Sequence, residues 1–195
     1  MKIVVATGCP IGGWEMVLPV LAQMGLEPGG NDLVQWQCDS SSTNGLPDLK
    51  RINEALQPQP EMIGRIKELQ QGSSAGTLFL ADSRNLQLLD LWAEEYPQAK
   101  FLLFYTLAEM AVTEAVLKGF DLGQSLDVWQ EANLRLLHFQ RYHRQQALLL
   151  DAEAVVRKPR ELIPVCEQIG LTLQCEKDIV AASTQIPPER VFAAY

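Results

Sequence analysis

Positive charge is scarce in this chain: 16 Lys and Arg stand against 24 Asp and Glu, giving a formal net charge of −8 over 195 residues. Nucleic-acid binders neutralise phosphates with a basic face, so this balance argues against that class. The basic residues that do cluster, Arg135, Arg141, Arg144, Arg157, Lys158 and Arg160, read as a solvated helix face and a loop. Long apolar runs are also lacking, and none approaches the roughly 20 residues of a membrane span. Only four cysteines occur (Cys9, Cys38, Cys166, Cys175), with no C-x-x-C pair and no zinc spacing. With no secretory signal, they read as reduced thiols in a cytoplasmic protein. The two histidines, His138 and His143, do not share a helix face, so a metal pair is not expected.

What is present is ordinary for a globular chain: 47% hydrophobic and 21% charged residues, enough to bury a sizeable core in one domain spanning 1–195. Four short apolar runs, Ile3–Ala6, Thr77–Ala81, Lys100–Tyr105 and Ala147–Asp151, are nearly continuous in Leu, Val, Ile and Phe. Strands of a parallel sheet, buried on both faces, look like this. Leu33–Cys38 is a weaker fifth run. Helical patterns lie between them at Trp14–Met24, Met62–Gln71, Leu86–Glu95 and Ala108–Lys118, several closed by glycine or proline. Ser125 is placed to cap a long helix over Leu126–Gln145, with Leu126, Trp129, Asn133, Leu136, Leu137 and Gln140 on one face. Alternating strands and helices predict a three-layer α/β/α sandwich with a mainly parallel central sheet. Residues 39–60 are polar and turn-rich and read as a loop or lid. The tail 172–195 reads as an extended segment or short helix on the surface.

In such sheets ligands bind at the carboxyl ends of the strands, which directs attention to Gly8–Gly13, Asp82–Arg84, Thr106–Glu109 and Asp151–Glu153. The first of these, Gly8-Cys9-Pro10-Ile11-Gly12-Gly13, follows a strand and opens a helix, the geometry that cradles phosphate on backbone N–H groups. Its glycines have the spacing of G-x-x-x-x-G-K-[ST], but the Lys and the hydroxyl residue are absent; Trp14 and Glu15 stand there. Cys9, beside a helix start, has the option of a lowered thiol pKa or of simply filling a tight turn. Glu15 serves either as a general base or as a carboxylate suited to a helix start. Asp82 and Arg84 either pair with each other or orient an acceptor.

The order of segments resembles the sulfotransferase family in its compact bacterial form. That family has a P-loop nucleotide-binding fold and moves sulfuryl from 3′-phosphoadenosine 5′-phosphosulfate to a hydroxyl or amine. Its opening G-x-[PH]-[RK]-S-G-T-[ST] is matched here at Gly8, Pro10 and Gly13, with Ile11, Gly12, Trp14 and Glu15 departing from it. Its K-D-P-R stretch resembles Ala81-Asp82-Ser83-Arg84. The run Leu91–Phe101 resembles W-x-x-x-[FY]-P-x-A-[KR]-F, Leu126–Asn133 resembles L-x-x-W-x-x-x-N, and Asp151–Pro159 with Ile169-Gly170-Leu171 resembles the family's closing segment. The family's Arg and Ser that hold the donor's 3′-phosphate fall on Thr106 and Glu114.

The resemblance therefore implies a scaffold with Gly8, Cys9, Pro10, Ile11, Gly12, Gly13, Trp14, Thr106 and Glu114 around the donor position, and Asp82, Arg84 and Glu15 as candidate catalytic groups. Each departure has one electrostatic sign. Ile11 and Thr106 remove cations, and Glu15 and Glu114 add anions. Two readings stay open. One is a pseudoenzyme that has lost the donor and binds a protein partner or a non-anionic ligand. The other is an active, divergent sulfotransferase using 3′-phosphoadenosine 5′-phosphosulfate and drawing cations from Arg157, Lys158 and Arg160.

Overall fold

Among the described residues, four parallel strands pair in the order β2-β1-β3-β4. The computed structural model describes residues 2–26 and 76–174. The expected strand Leu33–Cys38, the loop 39–60, the helix Met62–Gln71, Cys38, Cys175 and the tail beyond residue 174 lie outside the described residues.

Strand β1 (Lys2–Gly8) leads through the glycine turn into a 3-10 turn at Trp14–Val17 and helix α1 (Leu18–Gln23). Strand β2 (Thr77–Ala81) precedes α2 (Asn85–Glu95), and β3 (Lys100–Tyr105) precedes α3 (Ala108–Lys118) and α4 (Leu122–Tyr142). Strand β4 (Ala147–Asp151) is followed by α5 (Ala152–Arg157), a 3-10 turn at Pro159–Glu161 and α6 (Leu162–Glu167). All four continuous apolar runs are strands.

The continuous runs follow from the layering. Side chains alternate across a strand, so both faces must be apolar where both are covered. Ile3, Val5, Phe101, Leu103 and Ala147 meet α2 and α4 on one face, through Leu86, Leu89, Trp92, Leu136 and Phe139. Val4, Ala6, Phe79, Leu102 and Phe104 meet the other face, built by Trp14, Val20, Leu21, Val156, Leu162 and Cys166. The first residues of the tail join this second face: Leu173 is buried, and the Gln174 amide donates to the Met24 carbonyl.

The start of α2 is stitched to the strands. Buried Asn85 donates to the Ala6 and Leu80 carbonyls, and its own oxygen accepts from the Trp92 indole at 3.2 Å. A buried amide left unpaired costs about 1–3 kcal/mol, so these contacts set the angle at which α2 leaves the sheet.

Helix α4 departs from the sequence expectation. It begins at Leu122, earlier than the expected Leu126, and Asp121 is its cap, with Oδ1 accepting from the Gln124 amide at 2.8 Å. Ser125 lies inside the helix, and its hydroxyl donates to the Asp121 carbonyl. The inward stripe is Ser125, Ala132, Leu136 and Phe139, with Val128 and Trp129 packed beside it; Leu126 is 39% exposed. Small side chains at 125 and 132 let α4 approach α3 and the sheet closely, and the larger leucine turns outward. Accordingly Asp121→Ala should lower stability by about 1 kcal/mol in urea denaturation. Ser125→Ala should stay within about 0.5 kcal/mol of wild type, because it loses only a redundant intrahelical bond.

Candidate functional site

The strand order reverses at β1, which has β2 on one side and β3 on the other although both follow it in the sequence, so β1 and β3 define the switch point. Gly8 is in register with Phe104, and the turn after β1 therefore emerges beside the turn after β3. A Cβ on Gly8 would meet the Trp14 ring at 2.4 Å and the Phe104 carbonyl at 2.7 Å. Only glycine lets the chain fold back this tightly over the end of β3.

Within the turn, Cys9 and Ile11 point into the core and are 0% and 1% exposed. Burial pushes the Cys9 thiol up from 9.0 to about 12, with the Glu114 and Glu15 carboxylates adding to the rise. The thiol is thus the opposite of an activated nucleophile. Gly13 is the residue before the 3-10 turn and has φ 68°. Gly12 has φ 99°, and a Cβ there would lie 2.5 Å from Thr106 Oγ1. That Thr106 hydroxyl is buried and has no hydrogen-bond partner among the described residues, while the Thr106 carbonyl accepts from the Trp129 indole at 2.9 Å.

Glu114, on the inner side of α3, reaches across to this turn. Its Oε2 accepts from the Gly12 amide at 2.5 Å, and its Oε1 pairs with Lys118 Nζ one helical turn on. Gly12, Thr106 and Glu114, singled out in sequence as donor-contact positions, are thus gathered at one point. Lys118 is a member that the sequence reading missed. Its signal was the i,i+4 spacing of Glu114 and Lys118 on an expected helix.

A second cluster lies alongside. Trp14 is fully buried, stacks on Phe104 with ring centroids 5.7 Å apart, and donates from its indole to Ser83 Oγ at 2.8 Å. Ser83 in turn donates to Glu15 Oε1 at 3.0 Å, and the Ser83 carbonyl accepts from Thr7. Asp82 and Arg84 form a two-point ion pair across the same turn, with N···O distances of 2.9 and 2.7 Å, and Asp82 also accepts from the Arg84 amide. Ser83 lies in the Asp82–Arg84 turn that the sequence marked but was given no role there; the fold supplies one by placing Trp14 and Glu15 beside it.

Desolvation raises the Glu15 carboxyl above its ordinary pKa, and the Glu114 carboxylate adds to this; its backbone amide, Ser83 and the Lys118 charge act in the other direction. Arg157 pairs with Glu153 and Lys158 with Glu161 on the α5 side, while Arg135 on α4, packed over the opposite face of the sheet, donates to the Gln87 carbonyl. Asp151 caps α5 by accepting from the Glu153 and Ala154 amides.

No protein-family model and no curated protein matches this sequence. Among solved structures, a sulfotransferase from Alicyclobacillus acidocaldarius is similar, with a TM-score of 0.59 and 15% identity over 99% of this chain and 90% of that one. An uncharacterized protein from Eubacterium ventriosum aligns with a TM-score of 0.43 and 11% identity over 85% of this chain and 99% of that one. At this identity the first likeness establishes the fold: the chain is an α/β sandwich of sulfotransferase-like architecture.

The raised Glu15 pKa has a direct consequence for stability. A carboxyl whose folded pKa lies above its unfolded value, about 4.3, favours the folded state in its protonated form. That contribution is complete below the unfolded pKa and is lost as pH rises through the folded one. Glu15→Gln keeps an acceptor for Ser83 and removes the charge. It should raise the melting temperature at pH 7 and leave it unchanged near pH 3, as read by circular dichroism across pH.

Proposed function

We propose that this chain is a sulfotransferase-fold protein that no longer takes up 3′-phosphoadenosine 5′-phosphosulfate by the usual contacts and works as a pseudoenzyme, binding a protein partner or a non-anionic ligand. The observation that carries this reading is the Gly12 amide, which ends on the chain's own Glu114 carboxylate. A cradle amide engaged by an internal anion is not available to an incoming phosphate.

The other charge-bearing positions agree. Ile11, where the resemblance implies a cation, is sealed in the core, and Thr106, where it implies an arginine, presents a hydroxyl. The residues at these positions do not fit the donor. Each charge-assisted hydrogen bond is worth about 1.5–3 kcal/mol. Two such losses weaken binding by roughly two to four powers of ten.

Titration calorimetry with the donor nucleotide, or with adenosine 3′,5′-bisphosphate, should therefore show no saturable heat up to about 100 µM, a concentration corresponding to roughly −5.5 kcal/mol. Saturable binding would remove the reading in favour of an active, divergent enzyme that transfers sulfuryl to a hydroxyl or amine. Asp82, Arg84 and Glu15 would then be its remaining groups. In that case Arg84→Ala should abolish transfer while leaving the melting temperature nearly unchanged.

A further inference from the structure

Helices α2 and α4 cover the same face of the sheet, and between them runs an open groove of about 570 Å³. That volume suits a small molecule. None of the groove's residues belongs to the turn after β1, to the Asp82–Arg84 turn or to α3. Buried Leu89 and Phe139 line it, and the His143 ring stacks on Phe139 at 4.2 Å. Tyr142, also in the lining, is 84% exposed and has no ring partner among the described residues.

The charges in this groove do not neutralise one another. Glu131 and Arg135 stand four apart on α4 with the acid first, the spacing and order that favour an ion pair. Glu114 with Lys118 and Glu153 with Arg157 have the same spacing and order, and both pair. Glu131 and Arg135 do not. The Arg135 guanidinium instead reaches from α4 to α2 and donates to the Gln87 carbonyl at 3.1 Å. That contact occupies one of its five N–H donors. Glu131, and Asp90 on α2, make no hydrogen bond or ion pair among the described residues. One groove thus holds a positioned cation, two uncommitted carboxylates and an uncovered aromatic ring.

We propose that this groove binds a free aromatic amino acid. The ligand's carboxylate takes the remaining donors of the Arg135 fork, whose planar geometry suits two-point contact. Its ammonium is taken by the Glu131 and Asp90 carboxylates, and its ring packs on Leu134 and Tyr142. A ligand of one sign would satisfy half of these groups and meet repulsion from the other half; a zwitterion satisfies both. Because it carries no net charge, the chain's formal −8 does not exclude it. The groove shares no residue with the donor position, so this site stands whether or not the donor binds.

Calorimetry on the full wild-type chain tests the proposal with L-tryptophan, with tryptamine, which lacks the carboxylate, and with indole-3-propionate, which lacks the ammonium. L-Tryptophan should bind saturably with a Kd below about 1 mM, and each truncated relative should bind about tenfold or more weakly than that. No saturable heat with L-tryptophan, or equal binding of all three compounds, overturns the proposal. Arg135→Met should weaken L-tryptophan by about tenfold or more. A variant shown by circular dichroism to be folded, yet binding like wild type, would sink it as well. Glu131→Gln removes a charge without breaking a hydrogen bond, so its fold is not at risk. It should weaken L-tryptophan about threefold or more and leave indole-3-propionate no weaker; unchanged affinity for L-tryptophan counts against the site.

Discussion

The parallel pairing of β1 with β3 is the constraint from which the site follows. It runs from Val4 opposite Lys100 to Gly8 opposite Phe104, so both strands leave the sheet at one level. The two turns that follow must then share a small volume. Gly8 has no side chain because the Phe104 carbonyl and the Trp14 ring already fill that space, and Gly12 has none because Thr106 does. A slip of one residue would exchange the faces of every side chain on β1 and put Val4 and Ala6 where Ile3 and Val5 pack. The two apolar layers, one on each side, forbid that slip.

With the turns so placed, many polar groups at the rim of the sheet pair with one another. Glu114 takes the Gly12 amide, Asp82 takes the Arg84 guanidinium and amide, and Ser83 connects the Trp14 indole to Glu15. Here much of their hydrogen-bonding capacity is spent within the chain. Architecture and activity are separable for this reason: the sheet and its layers depend on apolar burial, while ligand recognition depends on a few polar groups that can be redirected without disturbing the core. The likeness to a solved sulfotransferase at 15% identity belongs to the first of these and not to the second.

Charge tells a more local story than composition does. A net charge of −8 is a property of the whole surface. The site itself holds three carboxylates, Glu15, Asp82 and Glu114, with Arg84 and Lys118 as the cations beside them. The thiol of Cys9 shows the same point from inside. Its position in a glycine turn left activation and the filling of a tight turn both open; the turn folds it into the core, and burial, with nearby carboxylates, raises its pKa. Direction in space, which a turn's sequence does not encode, decided the outcome.

The strands were legible because fully covered strands need apolar residues at every position, and that pattern survives in one dimension as unbroken runs such as Phe101–Phe104. The ends of α2 and α3 were legible too, since Pro97 and Gly119 stop helices by local backbone chemistry. The start of α4 was not: both Asp121 and Ser125 are able caps, and the choice depends on how the helix packs against α3 and the sheet. Gly12, Thr106 and Glu114 could be named from sequence, but only as separate departures from a pattern. That Glu114 turns toward the amide of Gly12, that Lys118 supplies a cation there, and that Ser83 joins Trp14 to Glu15 are facts of the tertiary structure. The sequence by itself determined the layers, because burial is a property of each residue and its period. The three-dimensional fold alone decided the site, because a hydrogen bond between residues about a hundred positions apart exists only once β1 and β3 lie side by side.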